Sequence, residues 1–191
     1  MLVRPADADG IAAAARALTA GELVAYPTEG VYGLGCDPRS GEALGKLLAL
    51  KGRPTTKGFI LIADRWEALC SFVALDACPL VVPLPLVPAP CTWVFPAAVG
   101  CPAALCGDHA TVAVRVTAHP VAARLSALFG GPIVSTSANP SGGRAARAVR
   151  EVQDAFPDGL AVVLDGPLGG LAGPTEIRDA RDGRVLRAAP P

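Results

Sequence analysis

Short strand patterns alternate with helical patterns along most of the 191-residue chain, and this alternation constrains the fold more than any other feature. Apolar runs predict strands over 23–26, 59–63, 92–95, 111–117, 133–137 and 160–164. Apolar residues at helical spacing predict helices over 11–18, 42–50, 66–73, 118–129 and 149–156. Residues 28–35 are interrupted by glycines and predict a loop or a bulged strand, and Asp182-Gly183 predicts a hairpin between 176–179 and 184–187. We therefore expect one α/β domain over residues 1–191, with a sheet of mixed strand direction.

The apolar fraction of 51% excludes a disordered chain and raises the question of a membrane span. The most apolar tract, residues 78–99, is interrupted by prolines that cannot all lie in one helix: Pro79, Pro83, Pro85, Pro88, Pro90 and Pro96. Residues 1–7 contain no apolar signal core. We therefore expect a cytoplasmic protein that does not contact a membrane.

The charges balance, with 17 Lys and Arg against 17 Asp and Glu, which argues against a general nucleic-acid coat. A local basic site stays open, because Lys51, Arg53 and Lys57 lie close together where a helix is predicted to end at Gly52 and Pro54. These cations can converge on a polyanion such as a nucleotide triphosphate. Alternatively, Lys51 only complements the dipole of its helix.

Two further segments carry candidate binding groups. Ser135, Ser137 and Asn139 share one face at the end of a predicted strand, where ligands of open α/β sheets bind. The alternative is a Ser/Asn turn that satisfies its own backbone. Thr111 and Arg115 share the polar face of another strand, which indicates either a lined cleft or an exposed sheet face. There is no Walker pattern, so a nucleotide site here would be of another type.

The six cysteines include no Cys-x-x-Cys pair. We therefore expect reduced, mostly buried thiols and no metal ligands. His119, before Pro120, is interpreted as structural rather than as a base. Arg144, Arg147 and Arg150 are interpreted as a solvated face, with contact to tRNA or nucleotide phosphate as the alternative.

Several motifs together resemble a known family. In chain order they are Pro27-Thr28-Glu29, Tyr32-Gly33-Leu34-Gly35-Cys36-Asp37, Lys51-x-Arg53-Pro54 with Lys57, Val114-Arg115 before His119-Pro120, and Ser135-Thr136-Ser137-Ala138-Asn139 with Ser141-Gly142. In order and spacing they resemble the YrdC-type threonylcarbamoyl-AMP synthases, and the resemblance covers nearly the whole chain. Pro174-Thr175-Glu176-Ile177 and Val185-Leu186-Arg187 are similar to the closing strands of that family. The resemblance implies a twisted mixed sheet flanked by helices, with a concave, positively charged cleft.

The resemblance also implies a nucleotidyltransferase. L-threonine, bicarbonate and ATP, expected with Mg²⁺, would give L-threonylcarbamoyladenylate, pyrophosphate and water without a prosthetic group. The product would pass to the tRNA threonylcarbamoyl transferase complex for the t6A modification of tRNA. No protein nucleophile is needed, because positioning and charge stabilisation suffice for phosphoryl transfer.

By resemblance, Lys51 and Arg53 are the catalytic residues, which would hold the triphosphate and the carbamate. The implied ATP-binding residues are Lys51, Arg53, Thr111, Ser137, Asn139 and Arg187. The implied threonine-binding residues are Thr28, Lys57, Arg115, Ser135 and Thr175, with Arg115 or Lys57 pairing the carboxylate.

One segment departs from the family pattern, since Val87-Pro88-Ala89-Pro90-Cys91-Thr92 stands where the family usually has Trp-Pro-Gly-Pro, an aliphatic residue and Thr. Two other functions stay open. One is a non-catalytic RNA-binding module of the same fold, with weak affinity for tRNA or double-stranded RNA. The other is a carbamoyl-transfer relative of the domain found in hydrogenase maturation.

Overall fold

The structure is a computed structural model that describes residues 1–77 and 90–190. Within these ranges the strands are β1 Leu2–Pro5, β2 Val24–Pro27, β3 Tyr32–Gly35, β4 Ile60–Ala63, β5 Cys91–Pro96, β6 Thr111–Val116, β7 Ile133–Ser137, β8 Val162–Asp165, β9 Glu176–Asp179 and β10 Val185–Arg187. The α-helices are α1 Ala8–Thr19, α2 Gly41–Lys51, α3 Ala103–Cys106, α4 Pro120–Phe129 and α5 Val149–Ala155. Strands and helices alternate over much of the chain, as predicted.

The strands described form one mixed sheet in the order β1-β8-β2-β3-β7-β4-β6-β5-β9-β10. The parallel pairs are β1/β8, β2/β8, β4/β6 and β5/β9, and the other neighbours are antiparallel. The predicted C-terminal hairpin is confirmed as β9 and β10. The expectation of an α/β fold with a mixed sheet is thus confirmed.

Alternate residues of each strand point to opposite sides of the sheet, and an apolar cluster covers each side. Val24 and Ile62 belong to an apolar cluster with α1 and α4. Ala25 and Leu61 belong to the other cluster, which includes residues of α2 and α5. The central strands are consequently buried on both faces, and polar groups near their ends stand out as candidates for function.

Local capping explains where the longer helices begin and end. Asp7 accepts a hydrogen bond from the backbone of Gly10 at 2.9 Å and begins α1. Ser40 accepts one from Ala43 at 3.1 Å and begins α2. Gly52, with a φ of 56°, ends α2 in the left-handed region. This end places Lys51 in the last turn of α2 and Arg53 directly after the helix.

Some predicted elements differ from the structure. Residues 66–73 form two 3-10 turns, Trp66–Ala68 and Cys70–Phe72, rather than one helix. The backbone there is hydrogen-bonded to residues 96–98 instead, since Ala74 donates to Pro96 and Ala98 donates to Phe72. The second half of residues 28–35 forms the strand β3, which makes a hairpin with β2.

Two elements were not predicted. β1 is a four-residue edge strand that is exposed throughout, and α3 is a single turn without a side-chain cap. Such elements carry no apolar periodicity from which they could be predicted. The prolines of residues 79–88 and Cys78 lie outside the described residues, as do Val87 to Ala89 of the segment that departs from the family pattern. No helix in the described ranges is long and apolar enough to cross a bilayer.

Candidate active site

Two adjoining cavities lie beside the ends of the central strands. The smaller has a volume of about 140 Å³ and the larger about 370 Å³, and Arg53 and Arg187 line both. Most of the residues predicted for the site line the smaller cavity: Thr28, Arg53, Arg115, Ser135, Ser137, Thr175 and Arg187. Thr111 lines the larger one. Lys51, Lys57 and Asn139 lie outside both linings.

Strand pairing brings these side chains together. Ser135 of β7 is paired with Ile60 of β4, and Ser137 is paired with Gly33 of β3. Gly33 matters because a Cβ at that position would lie 3.3 Å from Ser135 Oγ and 3.2 Å from the Thr28 methyl carbon. The missing side chain therefore leaves room for the cavity between β3 and β7.

Arg115 is the best-anchored cation of the smaller cavity. Its side chain is 6% exposed, and Nη1 donates hydrogen bonds of 3.1 Å to both Thr92 Oγ1 and Thr175 Oγ1. The two threonine hydroxyls are themselves 2.9 Å apart. Nη2 lies 3.1 Å from Oε2 of Glu29, which is equally buried. Nε of Arg115 has no hydrogen-bond partner among the described residues. The guanidinium is thus held in one orientation while keeping a free donor.

Glu29 joins this cation to a wider buried network. Thr117 donates a hydrogen bond of 2.6 Å to Glu29 Oε1, and Nε2 of His119 lies 3.1 Å from the carbonyl of Pro167. Burial would raise the pKa of Glu29, but the charge of Arg115 and the hydrogen bond from Thr117 outweigh it and lower the pKa. Burial lowers the pKa of His119. The network therefore favours a charged Glu29 beside a neutral His119, consistent with a structural histidine.

The side chain of Lys51 is buried and donates hydrogen bonds to the backbone of the protein itself. Lys51 is 2% exposed, and Nζ donates to the backbone carbonyls of Ser137 and Asn139, the latter at 2.6 Å. Burial, followed by the charge of Arg53, lowers its pKa to about 8. Neither sequence interpretation describes this placement, because the ammonium holds the end of β7 rather than only complementing its helix or facing a cavity.

Arg53 lines both cavities and is held by its own segment. Nη2 donates to the carbonyl of Gly58 at 2.7 Å, Nε donates to Lys57 at 3.3 Å, and the guanidinium lies 5.2 Å from the ring centre of Phe59. Lys57 contributes its backbone carbonyl here, while its side chain is exposed. The three cations predicted to converge are therefore divided: Arg53 faces the cavities, Lys51 is buried, and Lys57 lies at the surface.

The serines and the asparagine after β7 also have different environments. Nδ2 of Asn139 donates to the carbonyls of Pro140 at 2.7 Å and Gly143 at 2.9 Å, so its amide closes a turn, as the alternative interpretation proposed. Ser135 and Ser137 line the smaller cavity. The Ser-x-Ser pair thus fits a binding role in this arrangement, while Asn139 shapes the loop.

Two arginines tie other elements to residues that line the smaller cavity. Arg187 of β10 donates to the carbonyl of Thr175 at 2.7 Å, which ties the closing hairpin to the site. Arg147 donates to the carbonyls of Gly30 at 2.7 Å and Ala172 at 2.8 Å. Arg147 is exposed, as interpreted from the sequence, but it precedes α5 rather than lying on it, and it joins two loops.

No binding or catalytic role was predicted from the sequence for three residues of this network: Glu29, Thr92 and Thr117. Glu29 and Thr92 belong to segments compared with the family, and Thr117 lies on the polar face that contains Arg115. Their role depends on contacts between distant segments, which spacing does not show. Among residues 1–77 and 90–190, no group of three or more His, Cys, Asp or Glu side chains could hold a metal ion.

The sequence profile of the Sua5/YciO/YrdC family, described as "Telomere recombination", matches residues 16–189. The chain belongs to this family. It is 50% identical over 183 residues to a threonylcarbamoyl-AMP synthase of Halorhodospira halophila, covering 91% of this chain and 92% of the relative. It is 53% identical to one of Methylococcus capsulatus, covering 91% and 94%.

Solved structures agree with this assignment. The crystal structure of P. abyssi Sua5 complexed with L-threonine matches with a TM-score of 0.83 and 28% identity. The match covers 97% of this chain and 56% of that one, so this chain spans little more than half of Sua5. E. coli YciO matches in fold, with a TM-score of 0.75 and 23% identity over 94% of this chain and 88% of that one.

Proposed function

We propose that this chain is a threonylcarbamoyl-AMP synthase, which forms threonylcarbamoyl-AMP and pyrophosphate from L-threonine, bicarbonate and ATP. The observation that carries the proposal is the pair of adjoining cavities joined by Arg53 and Arg187. The smaller one is lined with hydroxyl groups around an anchored guanidinium and suits an amino acid. The larger one includes the apolar side chains of Phe59 and Ile177 and suits a nucleoside. The family and its named relatives support the same activity.

Threonine would occupy the smaller cavity. Arg115 is better placed than Lys57 to bind its carboxylate, because Arg115 lines this cavity and the side chain of Lys57 is exposed. Thr28, Ser135 and Thr175 supply hydroxyl groups for the remaining polar atoms of threonine. The threonine amine would then point towards the place where the two cavities adjoin, which Arg53 and Arg187 line.

ATP would occupy the larger cavity, with its phosphates near Arg53 and Arg187 and its nucleoside near Thr111. The carbamate forms when the threonine amine combines with bicarbonate and water leaves. Its oxygen then attacks the α-phosphorus as the bond to pyrophosphate breaks. Negative charge grows on the phosphoryl oxygens, and fixed guanidinium groups stabilise it. Lys51 acts in this arrangement by positioning the end of β7.

Mg²⁺ would enter with ATP and be held by its phosphates. The described residues offer no cluster of acidic side chains for it, and Glu29 is already paired with Arg115. The adenylate is a reactive mixed anhydride, and it would be passed to the tRNA threonylcarbamoyl transferase complex in the cytoplasm.

The experiment follows pyrophosphate and labelled threonine in the presence of ATP, Mg²⁺ and bicarbonate. We expect pyrophosphate release that requires both threonine and bicarbonate, together with a labelled adenylate. Release that is independent of threonine would reject the proposal. Carbamoyl phosphate turnover without threonine would favour the carbamoyl-transfer relative, and RNA binding without turnover would favour the RNA-binding module.

A further inference from the structure

Two cysteine sulfurs lie next to each other beside the larger cavity. Sγ of Cys106 is 3.8 Å from Sγ of Cys101; Cys106 is the last residue of α3, and Cys101 precedes the helix. A disulfide has a sulfur separation of about 2.05 Å, so bond formation requires the two atoms to approach by about 1.8 Å. Cys101 is half-buried, while Cys106 is 8% exposed and lines the larger cavity.

The segment that carries this pair is packed directly against the Arg53 segment. Phe59 donates a backbone hydrogen bond of 2.9 Å to Leu105, and Asp108 donates one of 3.0 Å to Thr56. A Cβ at Gly58 would lie 2.3 Å from the carbonyl oxygen of Leu105, which shows how closely the two backbones approach. Gly58 is also a carbonyl partner of Arg53. A displacement of α3 would therefore move a wall of the larger cavity.

We propose that Cys101 and Cys106 are a modification site, a dithiol that a low-molecular-weight disulfide oxidises reversibly to an intramolecular disulfide. The thiolate of Cys106 attacks one sulfur of the oxidant, such as glutathione disulfide, and one glutathione leaves. Cys101 then loses its proton and attacks the Cys106 sulfur of the mixed disulfide, which releases the second glutathione. Two cysteines are oxidised and one disulfide is reduced to two thiols.

The surroundings support this order of attack. Cys106 lines the larger cavity, whereas Cys101 does not. Burial, followed by the neighbouring Cys106, raises the pKa of Cys101 to about 12, which disfavours a first attack by Cys101 as a thiolate. The other described cysteines with sulfur contacts donate to backbone carbonyls: Cys70 to Trp66, and Cys91 to Thr92.

The test is peptide mapping by mass spectrometry after the folded protein has been incubated with glutathione disulfide. We expect a peptide that links Cys101 to Cys106, lighter by two hydrogen atoms and restored by a reducing agent. Cys70→Ser, which removes a partly exposed cysteine elsewhere, should leave this link intact. Cys101→Ser should abolish it and retain glutathione on Cys106. Links from either residue to another cysteine, or unmodified Cys101 and Cys106 beside a glutathionylated Cys70, would overturn the proposal.

The consequence for the site rests on the proposed function and is measured separately. A misplacement of about 1 Å in a positioning group can cost about 100-fold in rate, so we expect kcat/KM for ATP to fall by about tenfold or more on oxidation. Cys101→Ser should keep the activity of the reduced protein and resist this loss. If reduced protein releases no pyrophosphate, the proposed function fails while the mapped disulfide stands. An unchanged rate in mapped, oxidised protein would remove the link to ATP.

Discussion

Glu29 and Arg115 form a buried ion pair, with 3.1 Å between Oε2 and Nη2 and only 6% of each side chain exposed. The pair connects the turn between β2 and β3 to the strand β6. Its cation lines the cavity proposed for threonine, and its anion does not. We therefore regard Glu29 as a positioning residue that fixes the orientation of the Arg115 guanidinium.

Glu29→Gln should weaken threonine binding more than ATP binding. The substitution removes the anion and leaves Arg115 as an uncompensated buried charge, which costs about 3 kcal/mol of unfolding free energy. Steady-state kinetics should show a raised KM for threonine with a smaller change in KM for ATP. Glu22→Gln is the matched control, because Glu22 pairs with Lys46 at the surface, where solvent screens a salt bridge. Equal changes in both KM values would contradict the positioning role.

Acid should destabilise the protein in two stages. Burial lowers the pKa of His119 in the folded protein below its ordinary value of 6.5. As the pH drops below 6.5, the unfolded chain therefore binds a proton at His119 before the folded protein does, and the free energy of unfolding falls. The pKa of Glu29 is lowered despite its burial, chiefly by Arg115, from an ordinary 4.5. Its contribution is complete above 4.5 and is lost as the pH falls through the folded-state pKa.

Urea titrations from neutral pH to well below pH 4.5 measure both stages. His119→Gln should flatten the first stage, and His109→Gln, at an exposed position, should not. A first stage that is the same in the parent protein and in His119→Gln would assign it to other groups.

Lys51→Ala and Arg53→Ala should both abolish turnover, but they should differ in stability. Lys51→Ala leaves the carbonyls of Ser137 and Asn139 without their donor, and each unsatisfied buried group costs about 1–3 kcal/mol. Arg53 lies at the cavity rim, and its removal should cost less. Lys46→Ala on the same helix is the control for losing a surface cation. A Lys51→Ala protein as stable as the Lys46→Ala protein would contradict the buried role.

Two glycines should respond to alanine in opposite directions. A Cβ at Gly35 would lie 2.8 Å from both a ring carbon of Tyr26 and the carbonyl oxygen of Val134, so Gly35→Ala should cost about 1–3 kcal/mol. A Cβ at Gly45, inside α2, meets nothing within 4 Å. Gly45→Ala should therefore stabilise the helix by about 1 kcal/mol. Denaturant midpoints for the two variants test both signs, and a stabilised Gly35→Ala protein would contradict the packing around β3.

The sequence predicted much of the architecture because the longer elements have strong periodic patterns. The alternation in residues 111–117 placed Arg115 on the polar face of a predicted strand, and the strand is confirmed as β6. It could not show that Glu29 pairs with this face, because the pairing depends on the position of a turn from another part of the sheet.

Lys51 shows the same limit of prediction from the sequence. Its place at the end of a helix could be predicted from Gly52 and Pro54. The direction of its side chain could not, because that direction is set by the carbonyls at the end of β7. Likewise, β1 and α3 are too short to show a pattern, and only their tertiary contacts stabilise them.

The parallel pairing of β5 with β9 seats the C-terminal hairpin against the site, so that Thr92 and Thr175 share the same guanidinium donor. Arg187 of the hairpin also donates a hydrogen bond to the backbone carbonyl of Thr175. A ligand held between these groups gains affinity only while the hairpin is docked. By thermodynamic reciprocity, the free energy that docking adds to ligand binding equals the free energy that the ligand adds to docking. Hydrogen exchange in β9 and β10 should therefore slow when threonine is bound, in proportion to its affinity.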